Sequence, residues 1–139
     1  MTLNFDKYQG AGNDFIILNN YEGLFSQLSQ QQFKGMCDRN RGIGADGIIL
    51  LEPSDSVDFE MKYFNSDGKL SSLCGNGARC VVLYAFKNKI IGKKAKFNAI
   101  DGVHEGWLTS PENVKIQIND VKKIFNHKDS FVTNTGSPH

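Results

Sequence analysis

Cys74-Gly75-Asn76-Gly77-Ala78-Arg79-Cys80-Val81-Val82-Leu83-Tyr84-Ala85-Phe86-Lys87 decides how this chain folds. Past Gly77 nothing breaks a helix, and the apolar residues from Ala78 to Phe86 fall on every side of a 3.6-residue turn. A helix apolar all round is expected to be buried all round, so the rest of the chain has to wrap around it.

What surrounds this stretch reads as short strands. Residues 3–8 and 14–18 flank the turn Gly10-Ala11-Gly12-Asn13 and suit a hairpin. Phe59, Met61 and Tyr63 alternate with Glu60 and Lys62, and Val114, Ile116 and Ile118 with Lys115 and Gln117, the period of half-buried strands. Residues 48–52, 95–99 and 102–108 are further strands, and Asn65-Ser66-Asp67-Gly68 is a turn. Ser29 with Gln32 makes a capping box ahead of Leu28, Phe33, Met36 and Cys37, which predicts a second helix on the surface. The expected class is α+β, with mostly antiparallel strands curled around one central buried helix and one outer helix; the alternating order of a doubly wound fold is missing. Residues 1–120 are expected to form this domain. Residues 121–139 read as a linker and the start of a truncated second domain.

Composition narrows the function classes. The 139 residues carry 16 basic and 15 acidic side chains, so no field points to nucleic acid or membrane, and the expected partner is a small molecule. Neither a long apolar run nor a secretory leader is visible, which makes a cytoplasmic protein the expectation. Cys37, Cys74 and Cys80 are odd in number and irregular in spacing, against a disulfide framework. They include no CxxC pair and no histidine at ligand spacing, so no metal is expected. His104 and His127 read as surface residues, and Cys37 and Cys80 as packing.

Two glycine-rich segments could carry chemistry. Gly42-Ile43-Gly44-Ala45-Asp46-Gly47 matches GxGxxG, but it follows a helix and precedes a strand, the reverse of a dinucleotide site. Cys74 stands just ahead of the central helix, where exposed N–H groups and the helix dipole favour a thiolate. Gly75 and Gly77 leave those amides open to a carboxylate. The spacing alone fits an ordinary glycine-rich helix start equally well. A cysteine-phosphatase loop would need its arginine six residues after the cysteine, and Arg79 falls one short.

Four segments in order resemble the diaminopimelate epimerase family: Gly10-Ala11-Gly12-Asn13-Asp14-Phe15, the loop from Asp38 to Gly47, Tyr63-Phe64-Asn65-Ser66-Asp67-Gly68, and Cys74 to Cys80. The resemblance implies a cofactor-free isomerase that interconverts L,L- and meso-diaminopimelate, an amino-acid substrate of lysine and peptidoglycan-precursor synthesis, with two cysteines as acid and base. Cys74 matches the first of these. Asn13, Asn65, Gly75 and Asn76 match substrate-binding positions, and His139 matches a histidine beside the acid/base pair. Ser137 stands where many members have a substrate-binding asparagine. Family members place the site between two similar domains, the second supplying the other cysteine, and the full-length member is expected as a homodimer. This chain alone is accordingly expected to be inactive. The alternatives are a non-catalytic binding domain with an inert Cys74, or another isomerase of the same fold.

Overall fold

The computed structural model describes residues 2–118, together with the backbone of 124–127 and 130–133. Its elements run β1 (Asp6–Gly10), β2 (Asn13–Asn19), α1 (Gln30–Cys37), β3 (Gly47–Glu52), β4 (Phe59–Asn65), α2 (Gly75–Lys87), β5 (Lys94–Ala99), β6 (Gly102–Ser110) and β7 (Asn113–Ile116). β8 (Ile124–His127) and β9 (Ser130–Thr133) pair only with each other, as a separate antiparallel hairpin.

β1 to β7 form one sheet in sequence order. Four of its six pairings are antiparallel, while β2 with β3 and β4 with β5 run parallel. The sheet is therefore mixed, though mostly antiparallel as expected. The residues between the parallel strands explain those two pairings: α1 connects β2 to β3, and α2 connects β4 to β5, so each crossover carries a helix.

Strand periodicity sorts the two cores. Phe15, Ile17, Ile49 and Leu51 point to the face that holds α2, where they meet Phe59, Met61, Phe97, Val81, Val82 and Ala85. Their neighbours Ile16, Leu18, Ile48 and Leu50 point the other way and meet Phe33, Cys37, Phe25 and Ala45 under α1. β2 and β3 are thus covered on both faces, which is why both read as unbroken apolar runs. Each fully buried Phe or Ile side chain in these clusters contributes roughly 1.5–3 kcal/mol. The capping box forms as expected, with Ser29 Oγ accepting from Gln32 N at 3.2 Å and Gln32 Oε1 accepting from Ser29 N at 2.8 Å.

Two expectations need correction. α2 is not buried all round: Arg79, Leu83 and Phe86, one helical stripe, are half-buried. They lie where the sheet stays open, since β1 and β7 flank α2 as the two edge strands. A cleft of about 330 Å³ runs there between Gly10, Arg79, Leu83, Glu112 and Val114. A curled seven-stranded sheet with both edges unjoined encloses the helix on most sides only.

His104 is not a surface residue either. It is 2% exposed, stacked on Phe97 at 5.7 Å between ring centroids, with Nδ1 2.9 Å from Gln117 O and Nε2 2.8 Å from Asp101 Oδ1. Its position on β6 faces the core, and those two partners satisfy the ring nitrogens that burial would otherwise leave unpaired. His127 and His139 cannot be compared in the same way, because the side chain of His127 and all of His139 lie outside the described residues, as does Ser137.

Candidate active site

α2 begins at Gly75, and Cys74 is its N-cap. The Cys74 sulfur accepts from Gly77 N at 3.4 Å, and Ala78 N donates to Cys74 O at 2.8 Å. This occupies the third and fourth amides of the helix start. Those of Gly75 and Asn76 have no acceptor among the described residues, the ordinary condition of a first helical turn. Gly75 is exposed and nothing lies within 4 Å of where its Cβ would stand.

Gly77 is close-packed instead, since a Cβ there would sit 3.1 Å from Ile49 Cδ1 and 3.5 Å from Phe15 Cε1. The first turn of α2 consequently rests on the end of the sheet where β2 and β3 start. Asn65, at the end of β4, belongs to the same rim through the register Phe15, Gly47, Asn65 across three neighbouring strands. It is exposed, and it holds its turn together with Gly68 N donating to Asn65 O at 2.9 Å and Asn65 N donating to Lys69 O at 3.0 Å.

Asn13 and Asn76 meet directly, although they are 63 positions apart: Asn76 Nδ2 donates to Asn13 Oδ1 at 2.8 Å. Arg79 donates in turn to Asn76 Oδ1. On the other side Asn13 Nδ2 donates to Asp46 Oδ2 at 3.2 Å. Of the five matched residues the structure describes, Cys74, Gly75, Asn76 and Asn13 therefore form one connected group. Asn65 shares their end of the sheet, with no side-chain hydrogen bond to them among the described residues.

Behind this group lies a charged support that the sequence reading did not single out. Arg39 holds Asp14 with two hydrogen bonds, 3.1 Å to Oδ2 and 2.8 Å to Oδ1, and reaches Asp46 Oδ1 at 3.1 Å. Lys7 Nζ donates to Asp14 Oδ2 at 2.7 Å and to Gly44 O at 2.5 Å. The Arg39 hydrogen bond first, then that of Lys7, hold the Asp14 carboxyl well below the usual carboxylate range. These partly exposed ion pairs each add modestly to stability, and their larger consequence is geometric: they join the glycine-rich loop to the β1–β2 turn. Arg39, Asp46 and Asp14 all lie inside the quoted motifs, but spacing alone says nothing of their meeting.

Burial separates the three thiols. Cys37 and Cys80 are each 4% exposed, and burial pushes both thiols up to about 11. Cys74 is half-buried, with its sulfur at the helix start. Tyr63 stands nearby and is pushed up to about 12, by burial first and by the Cys74 sulfur next. Among the described residues no group of three His, Cys, Asp or Glu side chains could hold a metal ion, and no helix is long and apolar enough to cross a membrane.

This curled mixed sheet around one helix recurs in solved proteins of other names. Methylitaconate delta-isomerase superposes with a TM-score of 0.59 at 14% identity, covering 89% of this chain and 66% of that one. A probable proline racemase from Agrobacterium radiobacter gives 0.59 at 10% identity, covering 95% and 48%. A phenazine biosynthesis protein of the PhzF family from Bacillus anthracis gives 0.57 at 15% identity, covering 85% and 42%. At these identities the likeness concerns the fold. Residues 5–125 match the family described as diaminopimelate epimerase, and the chain belongs to that family. It is 46% identical over 133 residues to the diaminopimelate epimerase of Flavobacterium psychrophilum, covering 96% of this chain and 52% of that protein. With the Chlorobaculum tepidum enzyme of the same name it shares 42% over 137 residues, covering 94% and 53%. The chain thus spans about half the length of these curated relatives.

Proposed function

We propose that this chain is the half of a diaminopimelate epimerase that supplies one of two acid/base thiols, Cys74, with residues 1–120 as its catalytic domain. The observation that carries the proposal is the placement of Cys74 at the α2 N-cap, beside the unengaged amides of Gly75 and Asn76. An amino-acid carboxylate docked on those amides puts its α-carbon within reach of the neighbouring sulfur. The Cys74 thiolate then takes the α-proton, becoming S–H. The electron pair left on carbon spreads into the carboxylate, where fixed N–H donors stabilise the added charge. A second thiol, from the half of the parent protein beyond this chain, returns a proton to the opposite face. One proton leaves and one arrives, so nothing is oxidised or reduced.

Asn13, Asn76 and Asn65 surround this position as polar groups for the substrate. Three free thiols suit a reducing compartment, which supports a cytoplasmic enzyme. A stereoinverting reaction needs groups on both faces of the α-carbon, and this chain offers one face. The test incubates the chain, and separately the full-length parent protein, with L,L-diaminopimelate in deuterated water, then separates stereoisomers and measures α-deuterium. The parent is expected to form deuterated meso product and this chain none. Meso product from the chain alone would defeat the half-site reading; no exchange by the parent would defeat the assignment of activity.

A further inference from the structure

Asn13 and Asn76 sit in the middle of a run of hydrogen bonds whose two ends each admit a single polarity. An asparagine side chain has two ends of nearly equal size, one accepting and one donating, and only its neighbours decide which end faces where. At one end of the run is the Asp46 carboxylate, which can only accept, so Asn13 turns Nδ2 towards it, at 3.2 Å. Asn13 Oδ1 is thereby turned to Asn76, whose Nδ2 donates at 2.8 Å. Asn76 Oδ1 is left facing Arg79, whose guanidinium can only donate.

We infer that Asp46 is a positioning residue: acting through Asn13, and with Arg79 at the other end, it fixes which end of the Asn13 and Asn76 amides is offered to a ligand at the start of α2. The inference rests on the reading of that helix start as the substrate site. Asp46 is itself held in place, its Oδ2 shared between Asn13 and the backbone N–H of Asp14 at 3.0 Å, and its Oδ1 held by Arg39 at 3.1 Å. Asp46 N also donates to Asp14 O at 2.9 Å. Each asparagine spends one N–H and one lone pair inside the run and keeps one of each. An α-amino acid head, with ammonium and carboxylate on a single carbon, needs an acceptor and a donor in fixed places. Reversing the run exchanges them.

Asp46→Asn tests this in the full-length protein: an amide has one oxygen for the donors of Asn13 and Asp14 on one side and of Arg39 on the other, so one of these contacts is left donor against donor. KM for L,L-diaminopimelate is expected to rise about tenfold, the scale of one misaligned charged hydrogen bond, while kcat stays within about threefold because Cys74 lies outside the run. Asp46→Ser, too short to reach Asn13, Asp14 N and Arg39 together, should repeat the KM effect should the first variant fold poorly. Arg39→Gln removes the clamp but keeps the carboxylate on Asn13, so it should lower thermal stability and leave KM within about twofold. Side-chain amide signals in nitrogen-15 spectra give a readout independent of turnover. Asp46→Asn should move those of both Asn13 and Asn76, and Arg39→Gln should leave those of Asn76 in place. Asn76 signals unmoved by Asp46→Asn, or an equal KM rise in the position 46 and position 39 variants, would overturn the inference. Failure of the epimerase assignment itself would appear as absent turnover in the unsubstituted parent, with the amide signals still responding.

Discussion

Alkylation of the three thiols is expected to sort them sharply, and the size of the difference follows from burial. Cys37 and Cys80, pushed up to about 11, are thiolate to about one part in a thousand near pH 8. A small free thiol, with its value of about 8.5, is about one quarter ionised there. Ionisation alone therefore slows Cys37 and Cys80 by roughly 250-fold relative to such a thiol. Their 4% exposure adds the need for local opening before any reagent arrives. Cys74, half-buried at the N-cap, is expected to react first. Treating the protein with iodoacetamide between about pH 7 and about pH 10, and following each cysteine peptide by mass spectrometry, reads all three rates at once. Those of Cys37 and Cys80 should climb by close to tenfold per pH unit across that range. Labelling of either at the Cys74 rate near pH 8, or a plateau in their rates below about pH 9, would refute the reasoning.

Four further outcomes are expected. In the full-length protein Cys74→Ala should abolish epimerisation with the fold intact, whereas Cys80→Ala, a truncation in the main core, should cost about 1–3 kcal/mol in urea unfolding and keep turnover; the reverse pattern would exchange the two assignments. Gly68→Ala places a Cβ 2.1 Å from Gln30 O at a residue with φ of +81°, and should destabilise by roughly 1–3 kcal/mol. Gly75→Ala, with open space at its Cβ, should hold stability within about 1 kcal/mol yet raise KM by covering the amides, and an unchanged KM there would count against carboxylate docking. Finally, the Asp14 carboxyl is held lower in the folded state than in the unfolded one. Its contribution is therefore present above about pH 4 and lost as pH falls through the depressed folded value. Asp14→Asn should thus lower the thermal midpoint at neutral pH, with the gap to the parent sequence narrowing in acid; a gap independent of pH would show that the carboxylate contributes nothing through its ion pairs.

The central helix, the outer capped helix, the Asn65 turn and all seven strands of the main sheet are legible in the amino-acid sequence, because each is written in local chemistry. Apolar periodicity marks which face of an element is buried, a Ser-x-x-Gln pattern marks a helix start, and Asn-Ser-Asp-Gly marks a turn. Cys74 ahead of α2 was legible for the same reason, since a helix N-terminus is a local object. Strand partners were not legible. The parallel pairings of β2 with β3 and β4 with β5 join segments separated by a helix, and periodicity reports a face rather than a neighbour. His104 was misread as surface because one residue of β6 carries no sign of which side will meet Phe97. Leu83 and Phe86 read as buried because the pattern of a helix cannot show that its enclosing sheet stays open between β1 and β7. The support behind the site was hidden in the same way: Asp46 lies 33 positions from Asn13, and Asn13 lies 63 from Asn76. The amino-acid sequence by itself determined which residues stand at the start of the central helix and in the turns that resemble the family motifs. Only the tertiary structure decided which of them meet and in what orientation, because hydrogen bonds between distant segments form after the chain has closed around its core.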